Sequence, residues 1–233
     1  MTLESLQQLL ARKQQLDRQA ADDAELSGRL ESLRRWQSQR LEQTYADLRH
    51  QPHFAAALDY FLSDLYGPGD FSRRDTDLKR ALGKLQRALP ARLLDLLGRA
   101  LELQVLTAEL DQQVAAALAS SHIDMDSYAA AYRGVGRAED RRHQIDLIVH
   151  IGHELGAIVR RRWIGLALRA AHSPARLAGF GTLQQFLERG FEAFVRMGDA
   201  EELFGIIRQR ETALMTSLLR ADSTRRIAQN GRV

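Results

Sequence analysis

Apolar residues recur at helical spacing along almost the whole chain, and no stretch sustains the two-residue alternation of a half-buried strand. Leu26, Leu30, Leu33, Leu41 and Leu48 share one face across 23–50. Phe54, Leu58, Phe61, Leu62 and Leu65 do so across 54–66, and Phe71, Leu78, Leu82 and Leu85 mark a third stripe. Turn residues divide this pattern at "HQPHF", "GPG" (67–69), Pro90, "GVG" (134–136) and "SPARLAGFG". A residue before proline is pushed out of the α region, and glycine supplies a left-handed cap. The spacing therefore predicts helices over 3–19, 23–50, 54–66, 72–89, 90–120, 126–132, 137–171, 182–196 and 199–221. Ser72, with Asp75 three residues on, reads as the capping box of the fourth. The implied fold class is all-α, a single-domain multi-helix bundle of about seven to nine helices over 1–221. Within it, 1–50 reads as an N-terminal helical hairpin, packed on its own bundle or offered to another chain, and 222–233 as a polar tail expected to be disordered. No repeat of fixed period supports a solenoid.

Composition narrows the chemistry. The chain has no cysteine, which removes disulfides, thiolate metal sites and cysteine nucleophiles and fits a reducing compartment, so a cytoplasmic location is expected. Its 33 basic and 30 acidic residues leave a net charge of +3, and its few aromatics are not interleaved with a basic run. Both facts argue against a nucleic-acid partner. No stretch approaches a membrane span, and 1–19 alternates leucines with charges instead of forming the apolar core of a signal peptide. No G-x-S-x-G elbow, Walker A loop or Rossmann fingerprint is present.

The segment "EDRRHQIDLIVHIGHE" carries the most pointed polar pattern. Glu139, His143, Asp146, His150 and His153 recur at four, three, four and three residues, which sets them along one stripe of a helix. Ile145, Ile148, Ile151, Leu155, Ile158, Val159 and Trp163 centre on the opposite side. From Ile145 to Val159 there is no Lys or Arg, and Gly152 and Gly156 stand four apart. The expectation is a central helix, closely approached at its glycines, with its polar stripe partly buried. In the last helix, Glu211 shares a face with Leu203, Phe204, Ile207, Leu214 and Leu218, so it is expected to point inward. Asp64, Arg74 and Asp75 border apolar stripes of their own helices.

At "YFLSDLYGPGDFSRRDTDL" the chain resembles a bacterial family named for an FFLEELY motif, with residues 60–66 filling its seven positions. Tyr60, Ser63 and Asp64 replace the first Phe and the two Glu. The resemblance covers about twenty residues and implies a bacterial helical protein without an assigned activity. It transfers no catalytic residue.

Two functions compete. In the first, a non-catalytic bundle acts through helix-mediated association, with a second copy or a protein partner, and needs no cofactor. In the second, a metal-dependent enzyme of di-iron, oxygenase-like type holds Fe, Mn or Zn. Its ligands would be Asp146, His150 and Glu211, extended by His143 and Asp64. The D-x-x-x-H spacing sets two ligands one turn apart, but the paired E-x-x-H motifs of ferritin-like sites are missing. The bland alternative for Asp146 and His150 is an exposed i, i+4 pair. "HQPH" (His50, His53) straddles a helix end, and Arg73 and Arg74 pair more simply with Asp70 or Asp75 than with an anion.

Overall fold

A computed structural model describes residues 2–65 and 72–220. Eleven α-helices run in the order α1 (Leu3–Ala21), α2 (Ala24–Thr44), α3 (Ala46–Arg49), α4 (Pro52–Tyr60), α5 (Ser72–Ala88), α6 (Ala91–Ala117), α7 (Met125–Val135), α8 (Ala138–Val159), α9 (Arg162–Leu177), α10 (Gly181–Met197) and α11 (Ala200–Arg220). One π-helical turn, Phe61–Leu65, follows α4. No strand occurs among the described residues. The all-α expectation holds, while the expected seven to nine helices is low because two long helices each break once.

The first break is at Tyr45, whose φ of −111° and ψ of 15° leave the helical well. There Thr44 Oγ1 takes the Arg40 carbonyl at 2.8 Å, and Arg210 Nη1 takes the Thr44 carbonyl at 2.6 Å. Back-bonding by Thr and capture of a last-turn carbonyl compete with continuation of the helix. The second break is at Arg160 and Arg161, so Trp163 leaves the apolar face of α8 and stands 47% exposed. Conversely, Ser173 to Leu177, expected as linker, remain helical with Pro174 inside the last turns of α9. Pro52 opens α4 at its first position, where its missing N–H has no intrahelical partner to lose.

Caps fix several starts. Thr2 and Ser5 form a capping box on α1, Asp23 accepts from the Glu25 and Leu26 amides of α2, and Asp124 with Ser127 boxes α7. The side chains of Asp64, Leu65, Ser72, Arg73, Arg74, Leu85, Gln86 and Ala88, and all of 1, 66–71 and 221–233, lie outside the described residues. So do the capping box at Ser72, the "GPG" stop and the polar tail.

Helices α6 and α8 pack together at the centre. α6 also meets α1, α2 and α7, and α8 meets α9, α10 and α11. The main core gathers Leu33, Phe54, Val149, Phe194, Leu203 and Phe204 from five helices. A second cluster joins α1 to α5 and α6 through Leu6, Leu10, Leu82 and Leu101. In the FFLEELY-like segment, Phe61 stands edge-on to Phe194 and Phe204 at 5.9 and 5.5 Å, and Leu62 is buried. Within the described part of that segment, Tyr60, Phe61 and Leu62 supply this packing.

The α8–α11 contact depends on two glycines. A Cβ on Gly152 would stand 2.1 Å from the Phe204 ring, and one on Gly156 would stand 2.4 Å from Ala200 Cβ. Absence of a side chain lets α11 seat its aromatic residue against the α8 backbone. The close approach expected of these glycines is therefore present.

Candidate functional site

The five-residue stripe of α8 lies mostly toward solvent and is buried only in part, at two of its five residues. Glu139, His143 and His150 are exposed, and Asp146 and His153 are half-buried. His143 Nε2 stands 2.8 Å from Glu102 Oε1 of α6. Asp146 pairs with Arg208 of α11, both side chains about half exposed. His153 Nε2 stands 3.7 Å from a Glu201 carboxylate oxygen, with its ring edge-on to Phe204. The buried polar residue of α8 is Arg141, one turn before Ile145 on the core face. Among the described residues, no three His, Asp or Glu side chains come together as metal ligands. Asp146, His150 and His143 line the outside of α8, whereas Glu211 points inward to other partners. Asp64 is a residue whose side chain is not described.

Inside the bundle Glu211 meets α2. Arg40 Nη1 donates to Glu211 Oε1 and Oε2 at 2.7 and 2.9 Å, and the Tyr45 hydroxyl donates to Oε1 at 2.8 Å. Breaking α2 at Tyr45 is what frees that ring to turn toward α11. Just outside, Arg210 holds Asp47 through two bonds of 2.7 and 2.6 Å, which pulls the Asp47 carboxyl down to about 2. On the other side Gln37 donates to buried Asp111 of α6 at 3.1 Å, and Gln144 donates to Thr107 at 2.7 Å. Trp36 packs on Tyr128 with ring centroids 4.3 Å apart, and Tyr128 on Tyr132 at 5.6 Å.

Arg141 completes this interior. Two consecutive left-handed residues, Gly136 (φ 67°) and Arg137 (φ 56°), turn the chain from α7 into α8. That turn brings the Gly136 carbonyl to Arg141 Nε at 3.3 Å. The guanidinium lies 3.5 Å from the centre of the Tyr132 ring, a cation–π contact in a desolvated place. Around these groups is a cavity of about 140 Å³ between α2, α4 with its π-helical turn, α6, α7, α8 and α11, lined also by Ile145, Ile148, Ile207 and Leu214.

Burial sets the electrostatics. It raises the Tyr45 and Tyr128 hydroxyls and pushes Tyr132 up to about 12. It also raises Asp111, against the opposing pull of the Gln37 amide, Arg34 and Arg141. Burial alone would lower Arg40, but the Glu211 charge and hydrogen bonds outweigh it and raise the group. The interior therefore holds neutral phenols and one compensated ion pair.

A second feature lies on the outside. α9 buries only Gly165 and turns Ile164, Leu168 and His172 toward its neighbours, where His172 Nδ1 bonds Glu188 of α10 at 2.8 Å. Its outer face carries Trp163, Leu166, Ala167, Ala170, Pro174 and Leu177, all exposed. Leu166 is 59% and Leu177 90% exposed. Arg162, Arg169 and Arg176, seven apart, run along one border of this stripe, and α9 contains no acid. Arg162 and Arg169 make no ion pair with a described residue.

Sequence periodicity found Glu211 but passed over Arg40, Tyr45, Asp111 and Arg141. The same signal was there for two of them. Arg141 precedes Ile145 by one turn, and Asp111 stands three residues after Ala108 and four before Ala115 on the buried face of α6. Nothing among the curated proteins or the solved structures matches this chain. A family model described as Domain of unknown function (DUF8198) matches residues 15–225, and the chain belongs to that family.

Proposed function

We propose that the protein is a non-catalytic association module whose outer α9 face docks an amphipathic helix bordered by acids on a partner protein. The exposed apolar stripe carries this reading: three large apolar side chains, at 47%, 59% and 90% exposure, follow one another along a single helix. Soluble chains seldom leave such residues contiguous unless something covers them. Helix-in-groove recognition uses anchors at this spacing.

Charge and shape select the partner. An antiparallel two-fold pairing of the stripe with itself sets the row of Arg162, Arg169 and Arg176 against its own copy, which like-charge repulsion disfavours. An acidic border relieves that repulsion. Small Ala167 and Ala170 stand beside large Trp163, Leu166 and Leu177 on this face. Small side chains among large ones suit the ridges of a packed helix, which fluid lipid does not present. Among the described residues no helix is long and apolar enough to cross a membrane. The FFLEELY-like segment enters this reading as packing material behind the bundle core.

Fluorescence tests it. The chain has two tryptophans, so Trp36→Phe leaves Trp163 as the reporter. A synthetic Leu/Glu amphipathic helix is expected to shift Trp163 emission to the blue, and Arg162→Glu with Arg169→Glu to abolish the shift. A shift produced by anionic vesicles and not by the peptide, or by rising protein concentration alone, would reassign the face to lipid or to a second copy.

A further inference from the structure

We infer that the internal cavity is a binding site for a small monocarboxylate with an apolar body, held at its charged end by Arg141. Arg141 is 6% exposed, and its Nη2 is buried without a hydrogen-bond partner among the described residues. An unmet buried donor of this kind is costly, and more so when charged. Nε is already taken by the Gly136 carbonyl, and the ring face by Tyr132. The remaining edge of the guanidinium is thus the part offered to a ligand.

Counting charge narrows the class. Glu211 is committed to Arg40 and Tyr45, so it has no call on Arg141. Asp111 makes no ion pair with Arg141 within 4 Å and takes its hydrogen bond from Gln37 instead. Arg141 acts on Asp111 through space without an ion pair, so its open edge fits one added negative charge and no more. A phosphate dianion would bring a second charge close to Glu211 and would need more donors than this edge supplies. A planar carboxylate matches the guanidinium fork.

The apolar part of the lining fits the rest of the molecule. Ile145, Ile148, Ile207 and Leu214 line the cavity, and side chains of this kind favour an apolar body over free water. The volume of about 140 Å³ is an order of magnitude above the ~10–15 Å³ that one water requires. Carboxylates of a few carbons fit; cofactor-sized molecules do not. This site is independent of the α9 face.

Calorimetry on the full chain tests the assignment with hexanoate, hexyl phosphate and hexanol. Saturable binding of hexanoate is expected, with hexyl phosphate and hexanol at least about tenfold weaker, a loss of roughly one charge-assisted contact. Arg141→Gln is expected to weaken hexanoate at least about tenfold, with Arg141→Lys between the two. Should Arg141→Gln fail to fold, Ile148→Phe, which fills the apolar end and leaves Arg141 in place, is expected to exclude hexanoate. No saturable binding to the native chain below about 10 mM would overturn the proposal, leaving ordered water as the partner of Nη2. Equal binding of hexanol, tighter binding of hexyl phosphate, or hexanoate affinity unchanged in the variants would overturn it as well.

Discussion

Glu211 shows how a buried acid is made tolerable. Its carboxylate accepts from Arg40 and Tyr45, with both ionic side chains about 15% exposed. Removing one member leaves the other charge uncompensated in a desolvated place. Glu211→Gln is therefore expected to destabilise the protein by about 3 kcal/mol, read from urea unfolding; a loss under about 0.5 kcal/mol would mean the pair is wet. Asp146 is the contrast, because its partner Arg208 is half in solvent. Asp146→Ala is expected to change stability by no more than about 0.5 kcal/mol. The tyrosines add a pH dependence. In the unfolded chain a tyrosine ionises near 10, and Tyr132 is held at about 12, with Tyr45 and Tyr128 also raised. Between those values only the unfolded chain gains from ionisation, so stability falls as pH rises from about 10 toward 12 and is unaffected by these groups below 10. Tyrosinate absorbance checks it: of five tyrosines, three should ionise only as the protein unfolds. Asp47 works in the other direction, contributing above 3.8 and losing its contribution as pH falls toward 2.

At the scale of elements, the test is how closely helices approach. Gly152→Ala would drive a methyl into the Phe204 ring, and a cost of about 1–3 kcal/mol is expected. Gly28 in α2 is exposed with nothing within 4 Å of its Cβ position, so Gly28→Ala is expected to stabilise by up to about 1 kcal/mol. Equal effects at the two sites, in parallel denaturant melts, would contradict the packing described for α8 and α11. Most helices were legible because their apolar period, prolines and caps agree. The two missed breaks were not, because their causes lie elsewhere in the chain. α2 ends where Arg210 of α11 takes the Thr44 carbonyl, a contact between residues 166 apart. The same limit applies to the site. Periodicity said that Glu211 faces inward, but whether an ion, an arginine or a tyrosine meets it depends on which helix packs there. The α8 stripe is less buried than its lack of Lys and Arg suggested, because its neighbours on α6 and α11 meet it mainly through side chains reaching in from the edges, Glu102, Glu201 and Arg208, with Phe204 beside His153.

For the whole molecule, two features have no role in holding the fold. One is the cavity beside Arg141, lined by six helices and the π-helical turn; the other is the uncovered face of α9. A bundle built only for stability would bury Trp163, Leu166 and Leu177 or replace them with polar residues. Their exposure beside an unbroken arginine border is the basis for assigning docking to this side of the protein. The most direct test is photo-crosslinking in the native cell, with a photoreactive residue at Leu166 and a control at exposed Arg35 of α2. The account predicts a product at Leu166 alone, whose crosslinked peptide is an amphipathic helix with acids along one border. Arg162→Glu with Arg169→Glu should remove it. A product that is lipid or a second copy of this chain, one that persists after charge reversal, or equal labelling from Arg35 would contradict it.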